Sequence, residues 1–107
     1  MALERWNDEE LASAIERCAT LLVDLRADWC PQCEPQEGVL ERIAPEFAGL
    51  VTFGSVDVGV YTAVLDMYQV KGLPTLLLFK DGEFKQMING FKRAPVIRLA
   101  LKNLLSV

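Results

Sequence analysis

The chain has no histidine among its 107 residues. Histidine is the commonest general base near neutral pH and the commonest nitrogen ligand of metals in proteins. Its absence excludes the sites that are built around imidazole. Carboxylates and thiols are then the remaining groups that could carry acid–base or nucleophilic chemistry near pH 7.

The chain also lacks long apolar runs and an excess of positive charge. The chain contains no run of about 18 apolar residues, the length that is needed to span a bilayer. Residues 1–8 also lack the basic and apolar regions of a secretory signal. The net charge of −4 disfavours a nucleic acid or an anionic membrane as partner. Its length suits one domain. We therefore expect a cytoplasmic monomer with a single domain over residues 1–107.

Cysteine is scarce, and the three present are too few for a disulfide-stapled secreted domain. Cys30 and Cys33 follow an apolar run at 21–25 and precede apolar residues at helical spacing up to Phe47. The pair is thus predicted at the junction of a strand and a helix. There, free N–H groups and the helix dipole favour a thiolate. Both disulfide exchange and metal binding require a thiolate.

Pro31, which lies between the two cysteines, favours disulfide chemistry over metal binding. Side chains three residues apart inside a helix lie about 5–6 Å apart at Cβ, which is too far for a disulfide. Pro31 suits a first helical position and keeps the residue before it out of the helix. We predict a helix over 31–47 with Cys30 at its cap, where Cys30 attacks a disulfide and Cys33 resolves the mixed disulfide.

Asp24 interrupts the apolar run before the cysteines, and two interpretations are open. A buried carboxyl has a raised pKa and could accept the proton of Cys33. Alternatively, it is an acid at a strand end that pairs with a lysine or arginine. We take the first interpretation as the working hypothesis. Cys18 and Met67 are expected to be ordinary core residues.

The remaining pattern predicts an α/β fold. Strands are expected over 21–27, 51–56, 75–79 and 84–88, with a weaker signal over 3–6, and Asp81-Gly82 is typical of a two-residue hairpin turn. Helices are expected after Asn7, over 31–47, near 61–68 and over 96–105. This order predicts a mixed sheet of four to five strands flanked by helices on both faces.

Together these residues resemble the thioredoxin family, over nearly the whole chain. The resemblance is carried by Val-Asp-Leu at 23–25, Ala-Asp-Trp-Cys at 27–30 with Cys33, Gly-Leu-Pro-Thr-Leu at 72–76, Phe-Lys-Asp-Gly-Glu at 79–83, and Gly90. It implies the thioredoxin fold and reversible dithiol–disulfide exchange. It also implies an electron donor of the thioredoxin reductase type and target proteins with disulfides, and no metal or cofactor beyond the Cys30–Cys33 couple.

The resemblance further implies a substrate-docking surface beside the cysteines. Pro74 would be cis and packed against them, with the backbone of Leu73 pairing with the substrate. The implied substrate-binding residues are Trp29, Pro31, Gln32, Leu73, Pro74 and Gly90. Catalysis would fall to Cys30, Cys33 and Asp24.

Several positions depart from the usual family pattern. Pro31-Gln32 replaces Gly-Pro between the cysteines, which predicts a more oxidising couple. Ser55 replaces a lysine beside the buried acid, which should raise the pKa of Asp24 further. Arg26 replaces an aromatic residue and could pair with Asp28 or with the thiolate.

Two further departures lie in the helix after the cysteines. Glu34 replaces a basic residue and should oppose the effect of the dipole on the thiolate. Pro35 should distort the start of the helix without abolishing it, because proline removes one backbone hydrogen bond.

Three functions are compatible with this sequence. The first is a disulfide reductase that uses the Cys30–Cys33 couple. The second is a non-catalytic binding module with the same fold, although such a module needs neither the cysteine pair nor the buried acid. The third is a metal site, for which two paired thiols and a remote third fall short of the four ligands of structural zinc.

Overall fold

A computed structural model describes residues 3–106 of the chain; residues 1, 2 and 107 of the predicted domain lie outside the described residues. Within the described residues, the strands are β1 (Glu4–Arg5), β2 (Thr20–Arg26), β3 (Thr52–Asp57), β4 (Thr75–Lys80) and β5 (Glu83–Asn89). The α-helices are α1 (Asp8–Arg17), α2 (Cys33–Ile43), α3 (Ala63–Met67) and α4 (Ala94–Leu105), and a 3-10 helix covers Ala44–Phe47.

The strands form one mixed five-stranded sheet in the order β1-β3-β2-β4-β5. β3 lies between β1 and β2 and is parallel to both, whereas β4 is antiparallel to β2 and to β5. This arrangement confirms the predicted α/β class and the mixed sheet. The weak signal over 3–6 corresponds to the two-residue strand β1.

Helices cover both faces of the sheet, as predicted. Alternate residues of a strand point to opposite faces, so the central strands supply two separate apolar cores. The core under α2 and α4 contains Leu22, Leu40, Ile43, Leu76, Leu78, Ile97 and Leu101. The core under α1 and α3 contains Trp6, Leu11, Leu21, Val23, Val64, Leu77 and Phe79.

Local sequence signals account for the ends of several elements. The Asn7 side chain accepts from the backbone N–H of Glu10 at 2.8 Å, and the Glu10 carboxylate accepts from the N–H of Asn7 at 2.9 Å. This capping box starts α1 where expected. Asp81 and Gly82 both have positive φ, 52° and 81°, as a tight hairpin turn requires. The predicted turn between β4 and β5 is confirmed.

Two predictions of burial and length need correction. Met67 is not a core residue: its side chain is 69% exposed at the end of α3. The helix α3 is also shorter than predicted, at five residues, and only Val64 among them is buried. In the described part of the chain, no helix is long and apolar enough to cross a membrane.

Candidate active site

Cys30 and Cys33 are joined in a disulfide at the start of α2. Their Cα atoms are 5.4 Å apart, which lies within the range that disulfides adopt. Cys30 is 7% exposed, whereas Cys33 is 1% exposed and lies on the buried side of the helix. Cys30 is therefore the more accessible of the two residues to a partner's sulfur.

The start of α2 differs from the prediction. The helix begins at Cys33 with Gln32 as its N-cap, so Cys30 precedes the cap and does not occupy it. In a helix that began at Pro31, residue 35 would donate to the Pro31 carbonyl, and Pro35 has no N–H to donate. The bond from the Gln36 N–H to the Gln32 carbonyl, 3.1 Å long, is the one that the structure forms instead.

The end of the helix also differs from the predicted position 47. α2 ends at Ile43, and the 3-10 helix continues to Phe47. Pro45 lies within this tighter segment. A proline there lacks the N–H that the α-helical pattern would need, which explains the change of helix type.

Pro74 and Gly90 lie at the same edge of the sheet as the disulfide. Cys30 follows the end of β2, Pro74 precedes antiparallel β4, and Gly90 follows β5. The Gly90 N–H donates to the Pro74 carbonyl at 2.8 Å. The Leu73–Pro74 peptide bond is cis, as the resemblance implied.

The surface beside the disulfide contains exposed apolar side chains. The side chain of Trp29 is 72% exposed. Trp29 and Leu73 line one shallow groove together with Val58, Val70 and Gly72. Pro31 and Gln32 are also exposed. The residues that the sequence placed on a docking surface therefore lie around the disulfide or at the adjacent edge of the sheet.

Asp24 is fully buried in β2. It lies on the face that α2 covers, because Leu22, two residues earlier, packs with α2 residues in the same core. No described residue donates a hydrogen bond to either of its carboxylate oxygens. The pKa of Asp24 is raised from 3.8 to about 7: burial is the largest cause, the Glu37 carboxylate also raises the pKa, and Arg26 and Arg5 partly offset both by lowering it.

The alternative interpretation of Asp24 as an ion-paired acid is wrong for the described residues, since no ion pair involves it. Arg26 instead pairs with Asp28 at 3.1 Å and with Asp57 at 3.6 Å. The expected Arg26–Asp28 contact is therefore confirmed. Ser55 is the register partner of Asp24 on β3. A hydroxyl occupies this position, so Asp24 has no cationic neighbour on that strand.

Sequence reasoning missed two polar side chains of α2. Gln36 is fully buried: its amide nitrogen donates to the Lys92 carbonyl at 3.1 Å, and its oxygen accepts from the Lys92 N–H at 2.8 Å. Glu37 pairs with Arg5 of β1. Gln36 was detectable as the one polar residue at helical spacing between the buried Cys33 and Val39.

The third cysteine, Cys18, is the C-cap of α1. It carries a free, half-buried thiol that packs against the core under α1, so the predicted packing role fits its position. Over residues 3–106, no group of three or more Cys, Asp or Glu side chains is arranged so that it could hold a metal ion.

Comparison with known proteins identifies the family of the chain. The family model described as Thioredoxin matches residues 2–103. The chain is 35% identical over 92 residues to a thioredoxin of Staphylococcus epidermidis, a match that covers 86% of this chain and 88% of the relative. It is 32% identical over 100 residues to the chloroplastic thioredoxin M3 of Oryza sativa subsp. japonica. That match covers 92% of this chain but only 55% of the rice protein.

Solved structures agree with this result. A mutant thioredoxin from Halobacterium salinarum NRC-1 superposes with a TM-score of 0.85 at 29% identity, covering 94% of this chain and 88% of the other. Mitochondrial thioredoxin 3 from Saccharomyces cerevisiae, in its oxidized form, gives a TM-score of 0.86 at 24% identity and covers 94% of both chains. The second likeness concerns the fold alone.

Proposed function

The chain belongs to the thioredoxin family, and from this premise we propose that its Cys30–Cys33 couple reduces disulfides in target proteins. It is a dithiol–disulfide oxidoreductase, in which a pair of electrons is stored as two thiols and released as one disulfide. The observation that carries the proposal is the disulfide itself. It joins an accessible Cys30 to a buried Cys33 where β2 gives way to α2.

The proposed reaction has two exchange steps. The Cys30 thiolate attacks one sulfur of the target disulfide, which forms a mixed disulfide and releases the other target sulfur as a thiolate. Cys33 then attacks the Cys30 sulfur and releases the second target thiol, leaving the Cys30–Cys33 disulfide. Two electrons pass from the dithiol to the target, which takes up two protons.

Asp24 is the proposed acceptor of the Cys33 proton. A carboxyl whose pKa is about 7 can both take and release a proton near neutral pH, which is the requirement for a general base. The chain has no histidine to take this role. Asp24 also lies on the face of the sheet that α2, with Cys33 at its first turn, covers.

The proposed docking surface surrounds Cys30. Trp29, Pro31 and Gln32 would contact the target beside Cys30. Leu73 and Pro74 would contact it as well, with the Leu73 backbone pairing with an extended segment of the target. Gly90 borders this surface, because its N–H binds the Pro74 carbonyl.

The oxidised couple must be reduced again by an electron donor. We assign this role to an NADPH- or ferredoxin-driven reductase of the thioredoxin reductase type, which would dock on the same surface. The proposed compartment is the cytoplasm, where such a donor keeps dithiols reduced. Both assignments rest on the family and are tested by assaying turnover with a purified reductase and its electron source.

Reduction of insulin disulfides in the presence of dithiothreitol tests the function directly, because the freed insulin chains precipitate. We expect the wild type to accelerate precipitation, and Cys30→Ser and Cys33→Ser to abolish that acceleration. Cys18→Ser is the matched control and should retain full activity, since this half-buried thiol lies at the end of α1. The Cys33→Ser protein should also accumulate a mixed disulfide through Cys30.

A wild-type rate no faster than dithiothreitol alone would contradict the proposal. That result, together with binding of a reductase or target that survives Cys30→Ser, would favour the non-catalytic binding module. Loss of activity in Cys18→Ser to the same extent as in Cys30→Ser would also contradict the assignment of the couple.

A further inference from the structure

Three residues on neighbouring strands form a row beneath α2. Arg5 of β1 is in register with Ser55 of β3, and Ser55 is in register with Asp24 of β2. Register partners in parallel strands point to the same face of a sheet. The three side chains therefore share the face covered by α2, and Asp24 lies two strand spacings, about 10 Å, from Arg5 at the backbone.

Glu37 of α2 forms an ion pair with Arg5, the residue at the β1 end of this row. The Arg5 guanidinium approaches both carboxylate oxygens of Glu37 at 3.2 Å. The Glu37 side chain is 16% exposed, while that of Arg5 is 55% exposed. A largely buried anion is thus held between the edge of the sheet and the active-site helix, with its counterion on the solvent side.

The polar groups of this row that face α2 are buried and unsatisfied. Neither carboxylate oxygen of Asp24, nor the Ser55 hydroxyl, has a hydrogen-bond partner among the described residues. Charges interact more strongly across a buried, weakly polarisable region than across water. A change of charge at either end of the ion pair should therefore be felt at Asp24.

Among residues 3–106, three charged side chains influence Asp24. Glu37 faces it from α2, Arg5 from β1, and Arg26 from its own strand. The adjacent strands contribute an uncharged residue each, Ser55 on β3 and Leu76 on β4. Arg26 is already engaged by Asp28 and Asp57. The Arg5–Glu37 pair, which joins β1 to α2, is therefore the influence on Asp24 that substitutions outside β2 can change.

We propose that Arg5 and Glu37 are positioning residues for disulfide exchange, which act through Asp24 by biasing whether it holds a proton when Cys33 attacks. Glu37 favours the protonated acid, and Arg5 opposes that effect. The proposal deepens the proposed function and rests on it only for its kinetic consequence. The electrostatic coupling itself is a property of the folded chain.

The two charges have opposite effects, which makes the proposal testable by sign. The Glu37 carboxylate raises the pKa of Asp24, whereas the Arg5 guanidinium lowers it. Glu37→Gln should therefore lower the titration midpoint of Asp24. Arg5→Gln should raise it, because it removes a cation and also leaves the Glu37 charge uncompensated. Each shift should amount to at least about 0.5 pH units at a separation of this order.

The experiment is a titration of the Asp24 carboxyl carbon by ¹³C NMR in the oxidised 107-residue chain. It compares the wild type with Glu37→Gln, Arg5→Gln and the conservative Arg5→Lys, which should restore a midpoint close to that of the wild type. Glu46→Gln is the matched control. It breaks a similar carboxylate–arginine pair, Arg98–Glu46 with a closest contact of 2.7 Å, which joins the 3-10 helix to α4.

Opposite shifts in Glu37→Gln and Arg5→Gln, with no shift in Glu46→Gln, would support the proposal. Unchanged midpoints, shifts in the same direction, or an equal shift in the control would overturn it. Either variant decides the sign by itself if the other fails to fold. Because the titration does not involve turnover, it remains decisive even if the insulin assay fails.

A second readout connects the coupling to the reaction. The pH midpoint of the rate at which Cys33 resolves a mixed disulfide should move in each variant in the same direction as the Asp24 titration. A purely structural role of the ion pair would lower the rate at all pH values without moving the midpoint. Shifted titrations with unshifted rate profiles would argue against Asp24 as the base and would leave the coupling intact.

Discussion

Asp24 carries a carboxyl group with no hydrogen-bond donor among the described residues, in the middle of a strand that is otherwise almost wholly apolar. An unpaired buried charge is costly, and the group responds by holding its proton to a higher pH. At this residue the molecule departs from what stability alone would favour. Such a departure is expected at functional sites.

The raised pKa has a consequence for stability. Between pH 4 and about 7 the folded protein keeps a proton on Asp24 that the unfolded chain releases, because the pKa rises from 3.8 to about 7 on folding. The folded state then binds more protons, so stability falls as the pH rises through this window and levels off above it. We expect Asp24→Asn to stabilise the protein at pH 8.5, by up to about 4 kcal/mol.

At pH 4 the same substitution should change stability little, since the acid is then protonated in the folded state. Urea unfolding of the oxidised protein at the two pH values measures both effects. Asp66→Asn, at an exposed position in α3, is the control and should show no such pH dependence. A gain from Asp24→Asn that is no larger at pH 8.5 than at pH 4 would contradict the raised pKa.

At the scale of elements, α2 connects the disulfide to the rest of the site. Its first turn holds Cys33, and one turn later Gln36 binds both backbone groups of Lys92. Lys92 follows Gly90, whose N–H binds Pro74. α2 is thus connected to Pro74, the residue before β4, by the Gln36–Lys92 and Gly90–Pro74 hydrogen bonds and the short segment between Gly90 and Lys92.

Replacing Gln36 should loosen this connection. Gln36→Leu keeps a similar volume in the core but leaves the N–H and carbonyl of Lys92 without their partner. We expect a loss of about 1–3 kcal/mol in the free energy of unfolding, together with faster amide exchange at Lys92. Gln86→Leu, at an exposed site on β5, serves as the control. Equal stabilities of the two variants would show that the Lys92 contacts contribute nothing.

The sequence predicted these elements unevenly, for physical reasons. The central strands and the hairpin turn were predictable because each rests on a local signal, an apolar run or the Asp81-Gly82 pair. The first residue of α2 was not predictable, because Pro31 and Pro35 are both compatible with the first turn of a helix. Only the backbone of the folded chain shows that the helix begins at Cys33. β1 is barely visible in the sequence, since its two residues depend on pairing with β3.

At the scale of the whole molecule, the fold gathers parts that are far apart in the chain. The antiparallel pairing of β4 with β2 and β5 places the ends of three strands, with Cys30, Pro74 and Gly90, at one edge of the sheet. The family motifs were sufficient to predict this grouping. The Arg5–Glu37 pair was not predictable, because it joins β1 to α2 across 32 positions and belongs to no motif.

The central claim is that Asp24 takes the proton of Cys33 during the second exchange step. It is tested most directly by stopped-flow kinetics at pH 7 that separate the attack of Cys30 on a target disulfide from resolution by Cys33, in the wild type and in Asp24→Asn. The account predicts that Asp24→Asn slows resolution by about 100-fold, the lower range for a general base, while attack stays nearly unchanged. Equal slowing of both steps, or resolution at the wild-type rate, would contradict it.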